Sequence, residues 1–487
     1  MNPNSTGLLS YEITNDNFVM GISTSDDTHD GGFSPLTNQV NLIISPGTAC
    51  PPAPTVQIST QFPAVPIASC EDSTPGGYPS GNIRYVLQAD TANVGYLTCV
   101  SSGSSVTSIS VGGLSFVYGI SDMANYPTLN GVNKVFITSA TDITMWDGNT
   151  TVVINWWTVS NGILAQPSLK NNVPHPLCYS KGSLYIADGN LLHYYYYDAL
   201  HNTHTIVNSV LTLPTNQVIT ALAEDPASGS LLVAVSSRAD TSDSASVHSY
   251  VGYYDGANPT AFTKSIPSDD QISAFYNLGG TVFCFYALNI GYISGSGVKF
   301  LRRISSSYTA TKLTYKCHVT NVANTLYIVT ANGVLAYGEV LGGTNKVFYY
   351  ALLNNNPSTI DFACTLGSGN LLVHDTTLQA FSTFNTYGVS TSSSFMYFYA
   401  NKIHHQRPST IRAIEIQLDQ KAVNTQNFVY LLDDQQNLNP IGLIPQGQSF
   451  WRFNCELSYK TTMSQVFAFL RGACGIKKIV VYYDYAE

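Results

Sequence analysis

Short apolar strands recur along most of this chain, each followed about ten residues later by a strand that ends a small or apolar pair with an aromatic. Val86-Leu87 leads to Val94-Gly95-Tyr96, Val135-Phe136-Ile137 to Thr144-Met145-Trp146, and Leu184-Tyr185-Ile186 to Leu192-His193-Tyr194. Leu231-Leu232-Val233 reaches Val251-Gly252-Tyr253 after a polar insertion. Val282-Phe283-Cys284 leads to Ile290-Gly291-Tyr292, Leu326-Tyr327-Ile328 to Leu335-Ala336-Tyr337, and Leu371-Leu372-Val373 to Gln379-Ala380-Phe381. The leading positions are spaced 49, 49, 47, 51, 44 and 45 residues apart. Short strands at a near-constant period of roughly 40–50 residues predict four-stranded propeller blades. Seven copies predict seven blades, or six if the first copy completes a ring begun elsewhere. Asp188-Gly189 and Asn332-Gly333 fall between paired strands, where a hairpin turn needs positive φ.

The pattern changes at both ends. Residues 389–487 lack the repeat and alternate instead: Ile411 and Ala413, then Ile414, Ile416 and Leu418; Phe428 and Tyr430; Phe467 and Phe469; Ile479, Val481 and Tyr483. Period-two placement predicts half-buried antiparallel strands, in a small sandwich or a sheet packed on the propeller. Residues 1–80 carry Pro46, Pro51, Pro52, Pro54, Pro63, Pro66, Pro75 and Pro79 among Gly, Ser and Thr. Proline cannot donate to a ladder, so this stretch reads as an extended arm, lying on a neighbouring subunit or trailing as a tail. One strand, Val40 to Ile44, interrupts it. The chain thus divides into an arm (1–80), an all-β propeller (81–388) and a C-terminal β region (389–487).

Composition sharpens this picture. Charged residues make up 10% of the 487, where roughly 25% is usual, and tyrosine occurs 32 times. An uncharged polar exterior suits permanent assembly, because few charges are desolvated at an interface. The formal net charge of −9 opposes tight binding to phosphate backbones. Arg302-Arg303 and Lys477-Lys478 read as solvated strand ends. The nine cysteines contain no CxxC pair, which argues against a zinc ribbon. Cys284 and Cys364 sit in apolar runs as buried thiols, and Cys50 and Cys70 flank a proline-rich loop where a disulfide is doubtful after cytoplasmic synthesis. The N-terminus shows no secretory leader and no stretch approaches 18 apolar residues, so synthesis in a cytoplasm without a membrane span is expected.

Candidate chemistry is sparse. Asp26-Asp27-Thr28-His29-Asp30-Gly31 departs from calcium-loop spacing, and His201 with His204 lacks a third ligand, so no metal and no cofactor are expected. His404 and His405 point to opposite faces of a strand and cannot share an ion. The run Tyr194 to Tyr197 reads as packing between blades, with an aromatic platform as the functional alternative; Trp156, Trp157 and Trp451 receive the same two readings. No nucleophile elbow, phosphate-binding loop or dinucleotide fingerprint occurs. Asp142, Asp147, Asp188, Glu224, Asp225, Asp255, Asp361 and Asp375 are scattered over blades, so nothing favours an enzyme. The insertion Arg238 to Ser249 is an exposed Ser/Asp-rich loop, and its Arg238, Asp240, Asp243 and His248 are candidate gate or contact residues.

The repeat from Val86 to Phe381, with the closing segment Phe453-Asn454-Cys455 through Gly475-Ile476-Lys477-Lys478-Ile479, resembles in layout the propeller-bearing tail hub or nozzle proteins of short-tailed bacteriophages, including the packaged-DNA-stabilisation type. The resemblance implies a structural protein of the virion tail. It implies a homo-oligomeric ring, a hexamer, below the portal and adaptor and beside other tail proteins. Double-stranded DNA would pass through without specific binding, because a neutral or acidic wall does not grip phosphates. The rival readings are a receptor- or glycan-binding propeller, with Trp156, Trp157 and Trp451 as sugar platforms, and a propeller hydrolase.

Overall fold

The repeats become seven four-stranded antiparallel sheets in a computed structural model of the chain. It describes residues 9–13, 56–58 and 65–71. From 83 to 485 it describes all but 102–105, 112–114, 128–132, 147–151, 160–164, 199, 202, 238–247, 296, 305–312, 340–345, 354–359, 367–369, 387–394, 401, 436 and 456–459.

Blade 1 opens with the strand Val65–Glu71, blade 2 with Met123–Pro127, blade 3 with Leu177–Ser180 and blade 4 with Val218–Glu224. Blades 5, 6 and 7 open with Ile272–Leu278, Val319–Val322 and Ile360–Thr365. Each of these first strands touches the first strand of the next blade, and the seventh touches the first, so the ring closes on seven and the six-blade alternative falls. Radial repetition leaves only the short edges of the fourth strands at the rim.

Both strands of every predicted hairpin are present, as the second and third strands of a blade. The repeated aromatics all lie on third strands. Trp146 stands opposite Val135, Tyr253 opposite Leu232, Tyr292 opposite Phe283 and Tyr337 opposite Leu326. Tyr96 and Phe381 stand nearer the turn, opposite Gln88 and His374. The register therefore slips between blades, and a one-residue slip moves a side chain to the other face. Trp146, Tyr253, Tyr292, Tyr337 and Phe381 pack into the apolar clusters between blades, whereas Tyr96 is half-buried and turns its hydroxyl to Asp90 of its own hairpin. At the blade 3 hairpin, φ is +62° at Gly189 and no positive value falls on Asn190, which fits a type II′ turn with glycine at its first central position.

The N-terminal region differs from the expected arm. Val65–Glu71 is the innermost strand of blade 1, paired with Ile83–Ala89. Val56–Ile58 supplies the fourth strand of blade 7, paired with Phe381 to Thr383. Leu9–Ile13 pairs with Ile479 to Tyr483 in the C-terminal sheet. The propeller thus begins well before residue 81, and the described parts of 1–80 are woven into this chain's own sheets. The proline count misled because proline is tolerated at edges and bulges: Pro66 sits beside a register shift in its strand. The proposed strand Val40 to Ile44 lies outside the described residues.

Residues 395–485 and the strand Leu9–Ile13 form an eight-stranded antiparallel sheet. Its longest strand, Ile403–Leu418, pairs with Ile476–Tyr485 and Phe450–Asn454 over its second half and with Thr461–Arg471 near its start. The phase change in the sequence, from Ile411 and Ala413 to Ile414, Ile416 and Leu418, coincides with a register shift between Ile411 and Ala413. That shift is a bulge, and it lets the strand keep both sets buried while bending. One continuous apolar cluster runs from blades 5, 6 and 7 (Phe285, Leu326, Val373) into the sheet (Ile411, Val466, Ile479) and takes in Ile13. Burying each such side chain contributes about 1.5–3 kcal/mol, so the sheet is integral to the propeller's stability. Cys284 and Cys364 are buried, as read from their apolar runs. Cys70 is buried as well, and Cys50 lies outside the described residues.

Candidate functional site

Two concave sites stand out among the described residues. The first lies on the ring axis, at the end where first strands begin. It is a cavity of about 50 Å³ lined by Ser69, Ser121, Asp122, Thr220, Ser273 and Lys316 among others. A space of this size admits a few waters and no nucleic-acid duplex, whose major groove alone is about 12 Å wide.

A charged strut spans it. Lys316, in the 3₁₀ turn Lys316–His318 that leads into blade 6, places Nζ 3.3 and 3.2 Å from the two carboxylate oxygens of Asp122 at the entry to blade 2. Asp122 also accepts hydrogen bonds from the N–H of Met123 (2.8 Å) and of Leu177 in blade 3 (2.9 Å). One carboxylate therefore joins blades 2, 3 and 6 through charge-assisted bonds. Burial alone would depress the lysine, but Asp122, with smaller contributions from Cys178 and Cys70, outweighs it and holds the ammonium above its ordinary range. The lysine keeps surface on the cavity side, so Lys316→Met is expected to lower the unfolding free energy by about 1–2 kcal/mol, less than for a fully enclosed pair. A chemical-denaturation midpoint unchanged by that substitution would show that the strut holds nothing.

Two residues on, His318 is fully buried. The Tyr315 N–H donates to its Nδ1 at 3.0 Å, which leaves the proton on Nε2, facing the Tyr118 hydroxyl. The ring is neutral, and burial pushes its pKa down to about 3. Around the same end, hydroxyls hook one blade to the next. Thr138 donates to the His175 carbonyl (3.0 Å), Thr220 to that of Ile272 (2.6 Å) and Ser273 to that of Thr314 (2.6 Å). Sequence reading missed these hooks because each partner carbonyl belongs to the following blade. Buried hydroxyl residues near the start of a first strand (Thr220, Ser273) or at the end of a second (Thr138) were the available signal.

The second site opens on the opposite face, at the seam between blades 4 and 5. It has a volume of about 440 Å³ and is lined by the turn Asp225 to Ser230, Tyr253, Thr263, Lys264, Gly280, Val282, Ile293 and Gly295. Asp225 caps its own turn, accepting from the Ala227 N–H (3.2 Å), the Ser228 N–H (3.3 Å) and the Ser228 hydroxyl (2.6 Å). Lys264 donates to the Gly295 carbonyl of blade 5 and lies 5.0 Å from the centre of the Tyr253 ring. Burial, then the charge of Asp225, raises the Tyr253 phenol and keeps it protonated.

The residues singled out from sequence fall elsewhere. Arg238, Asp240 and Asp243 lie outside the described residues. His248 is exposed at the base of that loop, where Ser237 and His248 exchange backbone contacts (N–H to carbonyl, 3.1 Å; N–H to hydroxyl, 3.2 Å), on the same face of the disc as the axial strut. Trp156 and Trp157 are buried between blades 2 and 3 and cannot serve as sugar platforms. Trp156 packs edge-on against Phe136 and Tyr195, and Trp157 donates to the Pro167 carbonyl. Trp451 is half-buried against the C-terminal core. The tyrosine run alternates as a strand requires: Tyr195 is buried against Tyr126 and Phe136 of blade 2, while Tyr194 turns toward Tyr185.

His201 pairs with Asp198 and His204 with the Tyr195 hydroxyl, so the two do not converge. His404 is exposed and His405 buried, on opposite faces. Among the described residues no group of three or more His, Cys, Asp or Glu is placed to hold a metal ion, and no helix is long and apolar enough to cross a membrane. Asp26 to Gly31 lies outside the described residues. The acidic residues Asp142, Asp188, Asp361 and Asp375 are occupied within the fold, by the N–H groups of Ile143, Lys170 and Thr377 and, for Asp361, by His374. No protein-family model and no curated protein matches this chain.

Proposed function

We propose that this chain is a structural ring component of a virion tail, a hub or nozzle of the kind found in short-tailed bacteriophages. The observation that carries the reading is the union of a weakly charged seven-bladed disc with a C-terminal sheet continuous with its core. A polar, low-charge skin is cheap to cover with neighbouring subunits. The axial cavity adds a constraint. With a strut across it, the propeller's own axis is no conduit, so a DNA channel has to be built between protomers of the ring. Portal and adaptor proteins are the partners this reading requires, and DNA passes by without base contacts.

Native mass measurement with electron microscopy of the purified protein tests this. A closed ring, six-fold on the resemblance, or stable capture by portal–adaptor complexes is expected. A monomer at micromolar concentration that binds neither would overturn the proposal.

A further inference from the structure

We propose that the cleft between blades 4 and 5 binds a hydroxylated monocarboxylate, the chemistry of a uronic-acid sugar. Its volume of about 440 Å³ lies within the usual range of small-molecule sites. Tyr253 and Val282 belong to the apolar cluster that joins the two blades, so the floor is fixed by packing. The polar groups on the walls are of complementary kinds. Lys264 is exposed, and its ammonium has no carboxylate within ion-pair distance among the described residues; its partners are a carbonyl and a ring face. A small anion can approach it without displacing an existing ion pair. Asp225 is a fixed acceptor whose turn holds it in place; its Oδ2 accepts both the N–H and the hydroxyl of Ser228, and its Oδ1, which accepts the Ala227 N–H, retains a second lone pair for a ligand hydroxyl. Ser230 and Thr263 add hydroxyls to the lining, and the Tyr253 phenol stays protonated as a donor.

Charge selects within this class. A ligand with one negative charge gains the attraction of Lys264 and meets Asp225 through its hydroxyls. A phosphate, with nearly two charges, doubles its repulsion from Asp225 along with its attraction to Lys264, and gives up the larger hydration of a dianion with only one cation to offset it. A neutral sugar forgoes Lys264. The inference stands independently of the ring proposal, because the cleft lies within one protomer.

Ligand titration followed by NMR on the full chain, using glucuronic acid, glucose and glucose 6-phosphate as probes, reads this out. Glucuronic acid is expected to bind saturably and at least tenfold more tightly than either other sugar. Lys264→Met should weaken it at least tenfold, Lys264→Arg should retain most of it, and Ala227→Trp, at an exposed wall position, should abolish it while thermal melting shows the variants folded. No saturable binding, glucose or the phosphate binding as tightly, or full affinity in both Lys264→Met and Ala227→Trp would each overturn the assignment.

Discussion

Acidification from pH 6.5 to 5 is expected to cost this fold about 2 kcal/mol through His318 alone. The ring is enclosed and neutral in the folded protein, with its pKa pushed from 6.5 down to about 3 by burial. Unfolded, it binds a proton near pH 6.5; folded, it does not. Protons therefore favour the unfolded state throughout the window from 6.5 down to about 3, and stability falls as pH falls. At about 1.4 kcal/mol per pH unit, 1.5 units give the stated loss. His175, His193 and His405 are lowered by burial as well and act in the same direction. Asp361 acts in the opposite direction: burial raises its carboxyl despite the His374 partner, so its contribution diminishes as pH rises through its titration. Urea midpoints at pH 7.5 and 5.0 check the balance. In His318→Gln, which can still accept from Tyr315 and donate to Tyr118, the difference between the two pH values should shrink by about 2 kcal/mol. Equal pH dependence in both proteins would remove His318 as the cause.

Deletion of residues 1–60 is expected to be more damaging than any single substitution. It strips the fourth strand from blade 7 and the edge strand from the C-terminal sheet, exposing the ladders of Ala380–Asn385 and Ile476–Tyr485. It also removes Ile13 from the common core, where truncation to alanine alone costs about 2–5 kcal/mol. Two bared edges invite pairing between chains. The truncated protein should melt earlier and form soluble oligomers or aggregates whose amount rises with concentration, and Ile13→Ala should reproduce part of the stability loss without the association. A truncated chain that melts with the full-length protein and stays monodisperse would show that neither strand is needed for closure.

These outcomes separate what is local in the sequence from what is not. The second and third strands of every blade were legible because a hairpin is written within about twenty residues and its alternation repeats seven times. The alternating segments around Ile411 to Leu418, Phe428, Phe467 and Ile479 were legible for the same reason, whereas the bulge between Ile411 and Ala413 and strands such as Phe395–Tyr399 and Leu438–Leu443 emerged only in the sheet. The first and fourth strands were harder to see. An innermost strand such as Val65–Glu71 is stabilised by its neighbours in the ring, and an edge strand such as Val56–Ile58 is stabilised by a partner at the other end of the chain. Proline content then outweighed a weak strand signal.

The site residues divide in the same way. Trp156 and Trp157 look alike as binding platforms or as packing until the adjacent blade covers them. Lys316 and Asp122 lie 194 residues apart, and Asp225, Lys264 and Gly295 meet only where two blades abut. The sequence by itself determined the class of fold, the blade period and the low-charge skin, because backbone periodicity and composition are local properties. Only the tertiary structure decided which groups face one another across the axis and along the seam, because burial and charge pairing depend on distances that ring closure sets.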